Sequence, residues 1–124
     1  MIAYAAADLI WATRIKSTAE AMGLSCRPVR SLAMLRDRLS DSEVRSLIVD
    51  LTAPDLALDL IGEVRERQRA GEAGPIRVVA FGPHVEKELF QRARDAGADE
   101  VIPRGAFDRS LPDILLALES SDAA

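Results

Sequence analysis

The chain has 124 residues, 48% of them hydrophobic and 29% charged, with a net charge of -4 at pH 7, which gives room for one domain around one core. No apolar run approaches the roughly 20 residues of a membrane span, and no basic stretch precedes the apolar start MIAYAAADLIWATR, as a secretory leader requires. No basic block offers a nucleic-acid footprint, and a lone Cys26 with a lone His84 excludes an internal disulfide and a Cys/His zinc site, so neither membrane nor nucleic acid is an expected partner and a cytoplasmic setting is the default.

In chain order, short apolar runs alternate with segments of helical spacing. The first run is Ile2–Ala6. Trp11, Ile15, Ala19 and Met22 then fall at i, i+4, i+8 and i+11, one face of a helix that Asp8 is placed to cap. A second run covers Leu24–Val29, followed by Ser31 as an N-cap and a helix with Leu32, Leu35 and Leu39 on one side. The third run, Ser46–Leu51, leads to a helix carrying Leu60 and Val64 and ending near Gly71. Its segment Glu63–Ala70 reads as a solvated face with ion pairs four residues apart. The fourth run, Ile76–Phe81, leads through Gly82-Pro83 to a helix opening at His84. That helix carries Leu89, Ala93 and Ala96 and ends at Gly97, a typical residue just past a helix end. After the run Glu100–Ile102, Ser110-Leu-Pro-Asp113 has the pattern of a capping box for a last helix, with Ile114, Leu115 and Leu118 turned inward. Trp11 and Cys26 read as core residues. Residues 1–118 form the expected domain and 119–124 a disordered tail.

The runs SLIVDL and IRVVAF are nearly continuous in apolar residues, which suits strands covered on both faces of a parallel sheet. Five strands alternating with five helices predict an α/β, doubly wound (βα)5 architecture of the flavodoxin-like kind, in the strand order 2-1-3-4-5. Sites in such folds lie beyond the carboxyl ends of the strands. The candidate residues are therefore those at Ala6 to Asp8, Asp50 to Asp55, Gly82 to His84 and Arg104-Gly105. No Ser/His/Asp or Cys/His constellation can be drawn around the single histidine, and no enzyme activity is expected.

The third run, Leu47-Ile-Val-Asp50 with Pro54 four residues on, resembles the apolar run, phospho-accepting aspartate and proline of response-regulator receiver domains. Ala96-Gly97-Ala98-Asp99 before Glu100-Val-Ile-Pro103 is similar to that family's turn into strand five. The resemblance spans nearly the whole chain and implies a two-component signalling module, with Asp50 at the phospho-acceptor position. It also implies an acidic pair that holds a divalent cation, because the attacking carboxylate and the incoming phosphoryl group are both negative. Here that pair falls on Ala6 and Ala7, whose methyl groups bind no metal. The family's hydroxyl residue after strand four falls on Gly82, its lysine after strand five on Arg104, and its switch aromatic on Val101. Arginine keeps the charge in a different shape.

The expected function is that of a degenerate, stand-alone receiver that works through protein contact, without phosphorylation and without a cofactor. Asp50 is then a strand-end carboxylate paired with Arg104 or capping nearby amides. One alternative keeps Asp50 phosphorylatable, with magnesium held by Asp8 and Asp50; another uses the crevice to sense a small molecule. By the resemblance, the partner face joins the fourth helix, the fifth strand and the last helix, through Glu86, Phe90, Arg94, Val101, Arg109 and Asp113. Its mixed charges suit a modest, salt-sensitive contact with another signalling protein or with a second copy of the chain.

Overall fold

The two nearly continuous apolar runs become the central strands, β3 (Ser46–Asp50) and β4 (Arg77–Gly82), buried along almost their whole length. The computed structural model describes residues 1–120. Around the two central strands it sets β1 (Ile2–Ala5), α1 (Leu9–Ala21), β2 (Cys26–Pro28), α2 (Leu32–Asp41) and α3 (Pro54–Arg69). It continues with α4 (Lys87–Ala96), β5 (Glu100–Pro103), α5 (Arg104–Arg109) and α6 (Leu111–Ser120). Every strand pair is parallel and the order is β2-β1-β3-β4-β5, the doubly wound sheet the alternation predicts.

Side chains alternate across a strand, and the two resulting sets bury different helices. Ala3, Leu47, Val49, Val78 and Ala80 pack with Leu35 of α2, Leu60 and Val64 of α3 and Ala93 of α4. Ile2, Tyr4, Ile48, Val79 and Phe81 meet Ile15 and Ala19 of α1 and Leu111, Leu115 and Leu118 of α6. The predicted caps form. Asp8 accepts from the Ile10 amide at 2.8 Å and Ser31 from the Met34 amide at 3.1 Å. Gly97 closes α4 at φ 121°. Among the described residues no helix is long and apolar enough to cross a membrane.

Four local readings change. An extra helix, α5, follows β5 because Phe107 must reach the core: it is fully buried and stacks on Phe81, with ring centroids 4.0 Å apart and planes 4° apart. Ser110 is therefore the junction of α5 and α6, its carbonyl accepting from the Ile114 amide at 2.9 Å. Leu111 is fully buried where Ile114 is only half-buried. His84 does not open α4; a turn comes first, in which Pro83 O accepts from the Glu86 amide at 3.1 Å, and the helix starts at Lys87. α6 runs through Ser120, so Glu119 and Ser120 are its last turn, and the rest of the expected tail lies outside the described residues.

In the segment Glu63–Ala70 Val64 is fully buried, Glu66, Arg69 and Ala70 are exposed, and Glu63, Arg65, Arg67 and Gln68 are half-buried. Arg67 pairs with Glu63 at 2.9 Å and Arg69 with Glu66 at 2.8 Å, as the spacing predicts. Arg65 instead turns inward at the amino end of β4 and β5. It donates to Gly97 O from Nε and Nη2 (2.9 and 2.7 Å), to Ile76 O (2.9 Å), to Gln68 Oε1 (2.7 Å) and to Asp99 Oδ2 (2.9 Å). The same Asp99 oxygen accepts from the Val78 amide at 2.7 Å. One guanidinium therefore ties α3 to the entries of two strands.

Candidate functional site

Three segments meet at the carboxyl ends of the strands: Ala6 to Asp8 after β1, Asp50 to Ala53 after β3, and Arg104 after β5. Asp50 is the last residue of β3 and is 2% exposed. Its Oδ1 accepts two hydrogen bonds from Thr52, from the amide at 2.9 Å and from the hydroxyl at 2.7 Å. An aspartate that binds the chain two residues on is an Asx turn, and this one directs the β3 exit into α3. The amide-capping half of the expectation for Asp50 thus holds.

The direct pair with Arg104 is replaced by a bridge. Arg104 Nη2 donates at 3.1 Å to the Thr52 hydroxyl oxygen, which in turn donates to Asp50. The guanidinium lies 6.0 Å from the centroid of the Trp11 ring, at the outer range of a cation–π contact. Trp11 is half-buried and packs against Phe81 and Phe107 at 5.3 and 6.0 Å between centroids. Arginine's fork is long enough to meet a hydroxyl and an indole face together, and this holds it off the carboxylate. Asp50 Oδ2 and Arg104 Nε remain buried with no hydrogen-bond partner among the described residues.

A cavity of about 310 Å³ lies beside Asp50. Its walls are apolar, with Ala6, Ala7 and Ala12 on one side and Val29 and Leu56 on the other; Asp50 and Arg30 are its charged lining residues. Asp8 is not part of the lining, because its carboxylate is committed to capping α1. A divalent cation needs several hard oxygen ligands, and this cavity offers one carboxylate. No group of three or more His, Cys, Asp or Glu that could hold a metal occurs among the described residues. The donor set does not fit magnesium.

Gly82, at the position of the expected hydroxyl, is closed over. A Cβ there would lie 3.1 Å from Leu51 Cβ and 3.5 Å from a Phe90 ring carbon. Phe90 is 7% exposed and belongs to the core, so it does not serve the partner face on which the sequence placed it. Val101 is half-buried against the same core. Glu86, Arg94, Arg109 and Asp113 are exposed, and none forms an ion pair among the described residues. Cys26 is half-buried, and burial pushes its thiol up to about 12, which leaves little thiolate at neutral pH. Arg30 and Leu56 escaped the sequence reading, and Thr52 entered it only as part of the segment Asp50 to Asp55, without a role. The Asp-x-Thr pattern at a strand exit signals Thr52; the other two carry no local signal.

Neither a family model nor a curated protein matches this sequence. Solved structures do match it. The chain is similar to a response regulator receiver domain from Bermanella marisrubri (22% identity, TM-score 0.75, covering 95% of this chain and 96% of that one). It is similar to a response regulator from Thermotoga maritima (18% identity, TM-score 0.72, 96% of each chain). It is also similar to an atypical orphan response regulator protein described as showing a phosphorylation-independent regulatory mechanism (15% identity, TM-score 0.70, 94% of this chain and 92% of that one). At these identities the likeness establishes the fold, which is that of receiver domains.

Proposed function

We propose that this chain is a cytoplasmic receiver-like signalling module that acts through protein contact and is not switched by phosphorylation. The observation that carries the proposal is the state of Asp50. Its Oδ1 is occupied by Thr52, its surroundings are largely apolar, and no second carboxylate lines the cavity. A phosphoryl group arriving there would meet a carboxylate with no direct ion pair, since Arg104 reaches it through a hydroxyl and Arg30, which also lines the cavity, makes no ion pair with it. The atypical orphan regulator of the same fold, described as phosphorylation-independent, supports the reading.

The surface of α4, β5 and α6 is the proposed contact, with a second copy or another signalling protein. Its exposed Glu86, Arg94, Arg109 and Asp113 have no intramolecular counterions among the described residues, unlike the paired charges of α3. Charges of this kind speed encounter and fix orientation. The test is mass spectrometry after incubation with acetyl phosphate and magnesium. An unchanged mass is the expected result; a phosphoryl adduct that disappears in Asp50→Asn would overturn the proposal in favour of a phosphorylated receiver.

A further inference from the structure

We infer that the cavity beside Asp50 binds a small organic cation, a primary ammonium on a short aliphatic body. The inference rests on the preceding reading only in taking the cavity not to be a phosphorylation site. Two observations meet here. The cavity, at about 310 Å³, has the size of a small-molecule site, and its walls are aliphatic. Asp50, part of that wall and 2% exposed, carries an oxygen with no partner among the described residues.

A buried carboxylate oxygen without a donor is costly, and the chemistry of its complement follows. An anion is repelled. A divalent metal finds one carboxylate where it needs several. A neutral alcohol donates one hydrogen but leaves the charge uncompensated. An ammonium supplies both donor and charge, while its hydrocarbon body replaces water along Ala6, Ala12, Val29 and Leu56. Arg30, the other charged lining residue, disfavours a second positive charge on the ligand. Monoamines are therefore preferred to diamines.

Oδ2 is itself enclosed, so binding turns the carboxyl group toward the cavity about a torsion that is broad for aspartate. That turn pulls on the Thr52 hydroxyl, on Arg104 and on the guanidinium–indole contact with Trp11, the single tryptophan of the chain. Ligand binding therefore has an intrinsic fluorescence signal, and the same chain of contacts carries occupancy of the cavity to the start of α1.

The experiment titrates the protein with hexylammonium chloride, 1-hexanol and hexane-1,6-diammonium chloride, following Trp11 fluorescence and melting temperature. Hexylammonium is expected to saturate and to raise the melting temperature, as a ligand of the native state does. Hexanol and the diammonium are expected to bind about tenfold or more weakly, the scale of a hydrogen bond to a charged group. Asp50→Asn is expected to erase the preference for amine over alcohol. Ala53→Leu, at the half-buried cavity rim, is expected to weaken both probes. It serves as the second variant should the Asp50 substitution impair folding. Equal binding of hexanol and hexylammonium by the wild type, no saturable binding, or an unchanged preference in Asp50→Asn would each overturn the inference. Labelling of Asp50 by acetyl phosphate with magnesium would instead overturn the reading on which it rests. An unlabelled protein that binds no amine sinks this inference alone.

Discussion

At the amino end of the sheet Arg65 spends its donors on two backbone carbonyls, an amide oxygen and a carboxylate. At the carboxyl end Arg104 makes one hydrogen bond through its side chain, and it and Asp50 each keep a buried atom without a partner among the described residues. Both are arginines next to an acidic group in one small domain. The first is a satisfied network, which rigidifies a fold; the second is partly satisfied, which lowers stability. Buried polar atoms left unpartnered ask for an explanation; the Ser46 hydroxyl at the amino end is one such atom, but the two that belong to charged groups lie at the end of the sheet where ligands of doubly wound folds sit. The difference separates the end that holds the fold from the end available for function.

The comparison breaks most visibly at Arg65. Arg65→Ala leaves Asp99 and two carbonyls short of a donor and should cost about 2–3 kcal/mol, the range for hydrogen bonds from a charged group, discounted because Asp99 is exposed. That is a large share of the roughly 5–15 kcal/mol expected for a domain. Urea unfolding should show a lower midpoint with an unchanged slope. Arg65→Lys should fall between, because it keeps the charge and loses the fork. A loss below about 1 kcal/mol for the alanine variant would show that the amino end is not the anchor described.

The next effect is at Gly82. Gly82→Thr supplies the hydroxyl that the receiver resemblance leads one to expect, in a place where a Cβ already meets Leu51 at 3.1 Å. Overpacking of this kind costs about 1–3 kcal/mol, so the variant should melt lower and gain no response to acetyl phosphate. A more stable Gly82→Thr would show that the carboxyl end has kept its room.

A smaller and reversible effect is expected from Ala6→Asp with Ala7→Asp. Both positions line the cavity with Asp50, and three carboxylates there repel one another. Stability should drop by about 1 kcal/mol without metal and recover when millimolar magnesium is added, because the ion binds the native state. Wild type should show no such response. Magnesium-dependent stabilisation of the wild type that vanishes in Asp50→Asn would mean that the pocket still holds metal.

What the sequence made legible follows from range. The strand runs, the caps at Asp8 and Ser31 and the end of α4 at Gly97 depend on neighbours within a few residues, and they stand where the spacing put them. Asp50 at the end of β3 was equally plain. The Thr52 bridge was not, because its partner Arg104 is 52 residues away. Arg65 was hidden by its setting: within a run of alternating charges nothing local marks the one side chain that turns inward. The same holds for α5, whose reason to exist is the stack of Phe107 on Phe81. Phe90 was assigned to a surface by analogy of position, while its own burial is set by Gly82 and Leu51 across the sheet.

The smallest effect sharpens the contrast from inside α3, where Glu63 sits two residues before Arg65. Hydrogen bonds from Arg36, and then from Arg67, hold the Glu63 carboxyl below its ordinary value. A carboxylate with a depressed folded-state pKa stabilises the protein above its unfolded value, about 4.5. That contribution is lost as the pH falls through the depressed value. Glu63→Gln should therefore be less stable than wild type near neutral pH, and the gap should close as the pH falls from about 4.5 through the depressed value. Glu63 and Arg67 are partly buried and Arg36 is half-exposed, so the gap near neutral pH should be about 1 kcal/mol, the upper end for pairs at the surface, and narrow in high salt. Chemical denaturation of both proteins across this pH range measures the gap. If it approaches that of Arg65→Ala, surface pairing along α3 holds the amino end, and the inward turn of Arg65 is incidental. If it stays small, α3 carries two kinds of arginine contact at least about two-fold apart in energy, and only the one that reaches the strand entries anchors the sheet.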